Sequence, residues 1–348
     1  MHSGLLQAFD AVIRESLCTI TNVAITDQMW TQASLPISEG GLGIHSIEKL
    51  ALPAFLASAY SIATLASETA DFHPDEKWDE PLIAEAVEML RVEAQDDLSS
   101  QARLRGVRTK ENGAWLEALP AASFGNLLTD SALRIAVGLR LGAAIITPHR
   151  CICGDWVDAR GYHGLSCKKS RGRKPRHSSL NAVCKRAFAS AGIETELEPV
   201  GLCRTNGQRP VTLAPWERGR MLTWDVTCVC TVALSHIVAT SERAGAAAAK
   251  AEQDKVTKYQ NITPDYLFSA LGFETLGPNG PEGSRLLTEV GRRVRQETGE
   301  ARAPEYLRQR ISIEIQRGNA ASVQGTAPPG ANLDQLFSVL RPPEAVFC

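Results

Sequence analysis

The sequence predicts an α+β fold: an all-α N-terminal region, then a smaller region in which a mixed sheet is flanked by helices. Three observations predict it. Residues 1–145 carry apolar side chains at helical spacing and contain no strand-rich section. Residues 221–230 alternate side chain by side chain, as a strand does. Between the two regions three cysteines and a histidine fall within 17 residues, from Cys151 to Cys167.

A chain of 348 residues is long enough for more than one domain. With 44% hydrophobic and 22% charged residues it has an ordinary globular composition, which excludes a wholly disordered chain. Its net charge of -2 hides an asymmetry: residues 1–150 sum to -8 and residues 151–348 to +6. An acidic half followed by a basic half directs any polyanion toward the second, although solvated faces alone produce such fluctuations. The first ten residues lack a basic segment followed by a long apolar core, so they do not read as a secretory signal. The apolar stretch Leu50–Ala66 is interrupted by Pro53, Ser58, Tyr60, Ser61 and Thr64, and it reads as a buried helix too short for a bilayer. The expectation is an intracellular protein, nuclear or cytoplasmic and not secreted, with no membrane partner and no small-molecule substrate.

In chain order, Leu5, Leu6, Phe9, Ile13 and Leu17 predict a helix over residues 5–17. Trp30, Leu35-Pro36 and the turn Gly40-Gly41-Leu42-Gly43 follow. Helices are predicted over 45–67, 81–104 and 126–142, with an acidic, Pro74-containing loop over 68–80. A boundary is expected near Thr147–Arg150. Residues 179–191 predict a helix ending at Gly192, and Glu194–Glu198 a short strand. In the strand at 221–230, Leu222, Trp224, Val226, Cys228 and Cys230 face one way, and Thr223, Asp225, Thr227 and Val229 the other. A strong helix former occupies 241–259, a strand 267–275, and helices 282–298 and 304–317. The last thirty residues, rich in Pro and Gly, are expected to fray.

Three groups carry candidate chemistry. Cys151-x-Cys153, His163 and Cys167 supply three thiolates and an imidazole, the donors of a tetrahedral structural zinc site. The alternative is a set of reduced core cysteines with an incidental histidine. A basic run follows at once: Lys168, Lys169, Arg171, Arg173, Lys174 and Arg176 are six cations in nine residues, with His177 behind them. Such a run neutralises phosphates and gives affinity without sequence readout; the alternative is a solvated linker. The third group is a scatter of acids, Glu198, Asp225, Glu252 and Glu274, with Lys255 three residues after Glu252. Metal-dependent phosphodiester hydrolysis needs at least two carboxylates to hold Mg²⁺. Glu252 and Lys255 also read as a helix-surface ion pair, and Glu274 as an exposed strand residue. Asp225, an acid within an apolar strand, is the hardest of them to explain structurally.

In order, these residues resemble a known family. Trp30-x-Gln32-Ala33-Ser34-Leu35-Pro36 and Gly40-Gly41-Leu42-Gly43-Ile44 resemble the segment after the polymerase core of non-LTR retrotransposon reverse transcriptases. The Cys-Cys-His-Cys group with Arg176-His177-x-x-Leu180-Asn181 resembles the junction into the restriction-like endonuclease of such polyproteins. Glu198-Pro199-x-Gly201-Leu202, Arg209-Pro210, Pro215-Trp216, Trp224-Asp225-x-Thr227-Cys228 and Gln316-Arg317-Gly318-Asn319-Ala320 continue the likeness over roughly residues 20–325. The resemblance implies a PD-(D/E)XK fold, a domain that nicks target DNA so that the exposed end primes reverse transcription. It implies structural Zn²⁺, Mg²⁺ if the nuclease is active, and DNA and element RNA as partners. Asp225 matches the second metal-binding acid, and Glu252 or Lys255 the later helix position.

The sequence departs from that pattern in three places. Arg209-Pro210 runs into Val211-Thr212-Leu213 without the acid the family places after Pro, and Cys230 stands where a further acid is expected after Asp225. No Tyr-x-Asp-Asp occurs, so the polymerase palm is not in this chain. Loss of a ligating carboxylate removes most metal-assisted catalysis. The expected organisation is a helical post-polymerase region at 1–145, a zinc knuckle and basic linker at 146–177, a restriction-endonuclease-like α/β domain at 178–325 and a tail at 326–348. The expected function is nucleic-acid binding by a retroelement-derived chain with an impaired nuclease. The alternatives are a still-active metal-dependent endonuclease and a non-enzymatic host interaction protein.

Overall fold

The computed structural model describes residues 3–52, 54, 55, 58, 80–170, 172–197, 212–217, 219–260 and 266–327. The remainder of the helix expected over 45–67, most of the loop at 68–80, Arg171, Glu198 with the motifs at 198–202 and 209–210, and the C-terminal tail lie outside them.

The first 145 residues contain helices and turns only, among the described residues. Helix α1 (Ser3–Thr21) packs its Leu17 side into the core and leaves Leu5, Phe9, Val12 and Ile20 exposed. Asp10 on α1 accepts N–H bonds from Ile47 and Glu48 and the Ser46 hydroxyl, and so caps the helical turn at 47–52. Helix α2 (Asp27–Ala33) starts on Thr26, whose hydroxyl accepts the Met29 N–H. The helix expected over 81–104 is two helices, α3 (Glu80–Glu93) and α4 (Leu98–Val107). The break is a capping event: Asp97 accepts the Ser99 N–H and the Ser100 hydroxyl, so it starts a new helix where periodicity alone reads on. A short helix α5 (Lys110–Gly113) leads to α6 (Asp130–Leu141), which begins on Thr129 and stops at left-handed Gly142.

The cysteine-rich segment forms a two-strand ribbon, β1 (His149–Arg150) against β2 (Trp156–Val157), followed by the short helix α7 (Tyr162–Ser166). Helix α8 (Arg173–Ser190) starts six residues before the expected position and draws the end of the basic run into its first turn.

The larger sheet has the order β3-β4-β5-β6. Strands β3 (Glu196–Leu197), β4 (Thr212–Glu217) and β5 (Arg220–Val229) run antiparallel in sequence. After α9 (Ile237–Glu242) and α10 (Ala246–Lys258), β6 (Leu267–Glu274) returns parallel to β5. Strand β4 is absent from the sequence-based reading because Pro215 interrupts it, and the ladder shifts register between Pro215 and Glu217. The single helix expected at 241–259 divides at Arg243, which is extended.

Alternation in β5 is as expected, but both faces are covered. Leu222, Trp224 and Val226 pack with Leu271 and Phe273 under α8, α11 (Pro281–Thr298) and α12 (Ala303–Gln324), and Phe188 stacks on Trp224 at 4.4 Å. Asp225 and its parallel neighbour Ala270 turn to the other face, under α10. Helix α12 serves two cores. Ile311 and Ile315 belong to the sheet core, while Ile313, Ala320 and Val323 join the helical core that contains α6, Cys151 and Cys167. Packing is therefore continuous across the boundary expected near residue 147. Among the described residues no helix is long and apolar enough to cross a membrane.

Candidate metal centre and the Asp225 cluster

Cys151, Cys153, His163 and Cys167 converge: one ligand atom from each lies within 4.8 Å of the others. The ribbon turn brings in the first two and α7 the second two. Cys151 Sγ is 3.7 Å from Cys167 Sγ, and Cys153 Sγ is 3.2 Å from His163 Nε2. Zn–S bonds near 2.3 Å give a tetrahedral S···S edge of about 3.8 Å, so the thiol pair is already at ligand spacing. Burial and the neighbouring Cys153 and Cys167 thiols push the Cys151 thiol up to about 12. A bound dication offsets that cost, because coordination removes the thiol proton. The residues fit a structural zinc ion with three sulfurs and one nitrogen.

The basic run divides. Lys168, Lys169, Arg173 and Lys174 are exposed, and none of them makes an ion pair among the described residues. Arg176 does not belong with them. Its guanidinium is buried, donating to Asn319 Oδ1 at 3.0 Å and to the Leu165 carbonyl at 3.4 Å. A Cβ on Gly318 would come 2.4 Å from the Arg176 side chain, so glycine is what lets the arginine cross α12. Asn319 in turn donates to the Thr275 carbonyl. Arg176 thus ties α8, α7 and α12 together instead of meeting a ligand.

Asp225 is buried at 2% exposure and meets three side chains. Lys255 Nζ and Tyr259 Oη (2.9 Å) both donate to its Oδ2, and His177 Nε2 stands 3.6 Å from its Oδ1. Burial pushes the Asp225 carboxyl up, but His177, Lys255 and Tyr259 together outweigh it and hold the group below the ordinary carboxylate range. Asn181 Nδ2 lies 3.3 Å from His177 Nδ1. With the amide donating there, the ring carries its proton on Nε2, toward Asp225. Lys255 and His177 remain partly accessible, so the cluster opens to solvent beside these two side chains.

Thus Asp225, Lys255 and His177 come together, although His177 was grouped by sequence with the basic run. The sequence assigns no role to Tyr259, and Asn181 enters there only as a motif position. The available signal was spacing: each lies four residues, one helical turn, beyond Lys255 or His177.

Glu252 does not join the cluster. Its Oε1 accepts the Gly272 and Gly283 N–H groups (3.0 and 2.8 Å) and its Oε2 the Glu282 N–H (3.0 Å), capping the start of α11. A Cβ on Gly280 would fall 2.2 Å from its carboxyl carbon, so the chain here is built around that carboxylate. The surface pair read for Glu252 and Lys255 is therefore not formed. Glu274, read as an exposed strand residue, is fully buried and accepts the Ala247 and Ala248 N–H groups at the start of α10. Glu198 lies outside the described residues. No family model matches this chain, and no curated protein matches it.

Proposed function

We propose that the chain binds nucleic acid through a zinc-ordered module and the basic segment behind it, on a restriction-endonuclease-like fold whose cleavage is weak or lost. The observation that carries this reading is the exposed set Lys168, Lys169, Arg173 and Lys174, without an ion pair among the described residues, which starts at the residue after the last cluster cysteine. Phosphate is the anion such a set fits, because it adds charge without discriminating between bases. The mixed sheet with helices on both faces, and the acid-lysine contact at its centre, support descent from a retroelement polyprotein nuclease. Impaired cleavage is supported by the fate of the acids: Glu252 and Glu274 serve backbone N–H groups, which leaves Asp225 as the one described carboxylate of the cluster.

A second reading, an active Mg²⁺-dependent endonuclease, is favoured by the Asp225–Lys255–His177 cluster itself. There Asp225 would hold the ion, and Lys255 would stabilise charge on the scissile phosphate. Supercoiled plasmid incubated with the full chain, zinc and Mg²⁺ or Mn²⁺, beside Asp225→Ala, separates the two. Binding without nicking supports the first reading. Nicking that disappears in Asp225→Ala establishes the second. Failure to bind plasmid overturns both.

A further inference from the structure

Trp156 is 60% exposed, whereas its neighbour Val157 is fully buried. Strand β2 is therefore anchored by one side chain and turns an indole to solvent, forgoing the largest apolar burial a side chain offers. No ring or cation–π contact engages Trp156 among the described residues. Its cross-strand partner is Arg150, also exposed, with its guanidinium steadied by the Gly154 carbonyl at 3.0 Å. Arg150 adjoins Cys151, whose sulfur sits 3.7 Å from that of Cys167, and Cys167 leads directly into exposed Lys168 and Lys169. The convergence of Cys151 and Cys167 thus ties the segment that presents Trp156 and Arg150 to the one that begins with Lys168 and Lys169. The ribbon also carries two exposed acids, Asp155 beside Cys153 Sγ at 3.4 Å and Asp158, which accepts the Tyr162 N–H; alternation along β2 turns the Asp155 side chain away from the face that presents Trp156.

We propose that Trp156 is a stacking platform for an unpaired base, with the backbone of a single-stranded nucleic acid running over Arg150, Lys168 and Lys169. This rests on the nucleic-acid reading above and narrows it. In a duplex each base face is covered by its neighbours, so an exposed indole beside cations selects an unstacked strand.

The test uses the full chain loaded with zinc, a fluorescent oligothymidylate and a duplex of the same length, read by anisotropy across a salt series. Trp156→Ala is expected to weaken single-strand binding about 5- to 150-fold and leave its salt dependence and duplex binding unchanged. Trp156→Phe should restore most of the loss. Replacing Lys168 and Lys169 by Gln should instead flatten the single-strand salt slope by about 1.4. Zinc content is followed in every variant. Independently of mutation, photocrosslinking the parent to an iodouracil-bearing strand should label the peptide containing Trp156. Equal single-strand binding by parent and Trp156→Ala, or crosslinks confined to other peptides, overturns the proposal. Binding of duplex alone overturns it while the nucleic-acid reading stands. Binding of neither overturns both.

Discussion

Two pairs of buried charges, arginines in the helical core and glutamates in the sheet core, are satisfied in opposite ways. In the helical core Arg103 and Arg140 are buried, and their partners are acceptors. Arg140 donates to the Gly41 and Ile37 carbonyls and to Asn112 Oδ1, and Arg103 to Gln32 Oε1 and the Arg140 carbonyl. The backbone acceptors among these lie at the C-terminal end of α6 and in the turns after α2, where helical partners run out. Burial lowers Arg140 to about 10. In the sheet core Glu252 and Glu274 are buried, and they meet N–H groups at helix starts. Buried charge here completes secondary structure from within. Asp225 differs from both glutamates because its partners are a lysine, a tyrosine and a histidine. A carboxylate held by mobile, titratable side chains can exchange them for a ligand; one clamped by backbone N–H groups cannot without unmaking a helix cap.

The comparison can be broken most forcefully at the metal. Cys151 and Cys167 lie within the helical core, and structural zinc sites contribute apparent folding free energies on the order of 10 kcal/mol. Chelation should lower Tm and release one zinc per chain. Hydrogen-exchange protection should fall first in α6 and the Ala320–Val323 end of α12, while β5 and β6 hold. Uniform loss across both cores would show that they are one unit. The next effect is Arg140→Met, which leaves two buried acceptors, the Gly41 carbonyl and Asn112 Oδ1, without this donor and should cost on the order of 3 kcal/mol in denaturant unfolding. A loss below about 1 kcal/mol would mean that these carbonyls are satisfied otherwise.

The smallest effect is on pH dependence. Burial raises the Glu252 and Glu274 carboxyls above their ordinary value of 4.5, despite the N–H groups they accept. An acid whose folded pKa is raised stabilises the fold below its unfolded pKa, and that contribution is lost as pH rises through the folded value. Asp225 has the opposite sign: its contribution is present above 3.8 and is lost as pH falls through its depressed folded value. Stability traced by these groups should therefore rise as pH falls from neutral toward 4.5 and decline below 3.8. Glu274→Gln should flatten the upper limb and Asp225→Asn the lower, which thermal unfolding across pH would read.

What was legible in the sequence divides along the same line. The four cluster residues were readable because metal ligation needs donor types at short spacing. Strand β5 and the anomaly of Asp225 were readable because alternation is local. Glu252 was misread because its partners are backbone groups 20 to 31 residues away, which leave no trace in side-chain spacing. Arg176 was misread because a basic run gives no sign that one member turns inward to an asparagine 143 residues on. The Gly318-Asn319 pair that receives it was noticed only as part of a motif.

Zinc-ordered basic residues that bind phosphate backbone have a signature in salt dependence. The most direct measurement is plasmid retention by the zinc-loaded chain over a salt series, beside a variant with Lys168, Lys169, Arg173 and Lys174 all replaced by Gln. Log affinity should fall linearly with log salt, and the variant's slope should be shallower by roughly 2 to 4. Parent and variant showing the same slope, or a parent whose binding ignores salt, would contradict it.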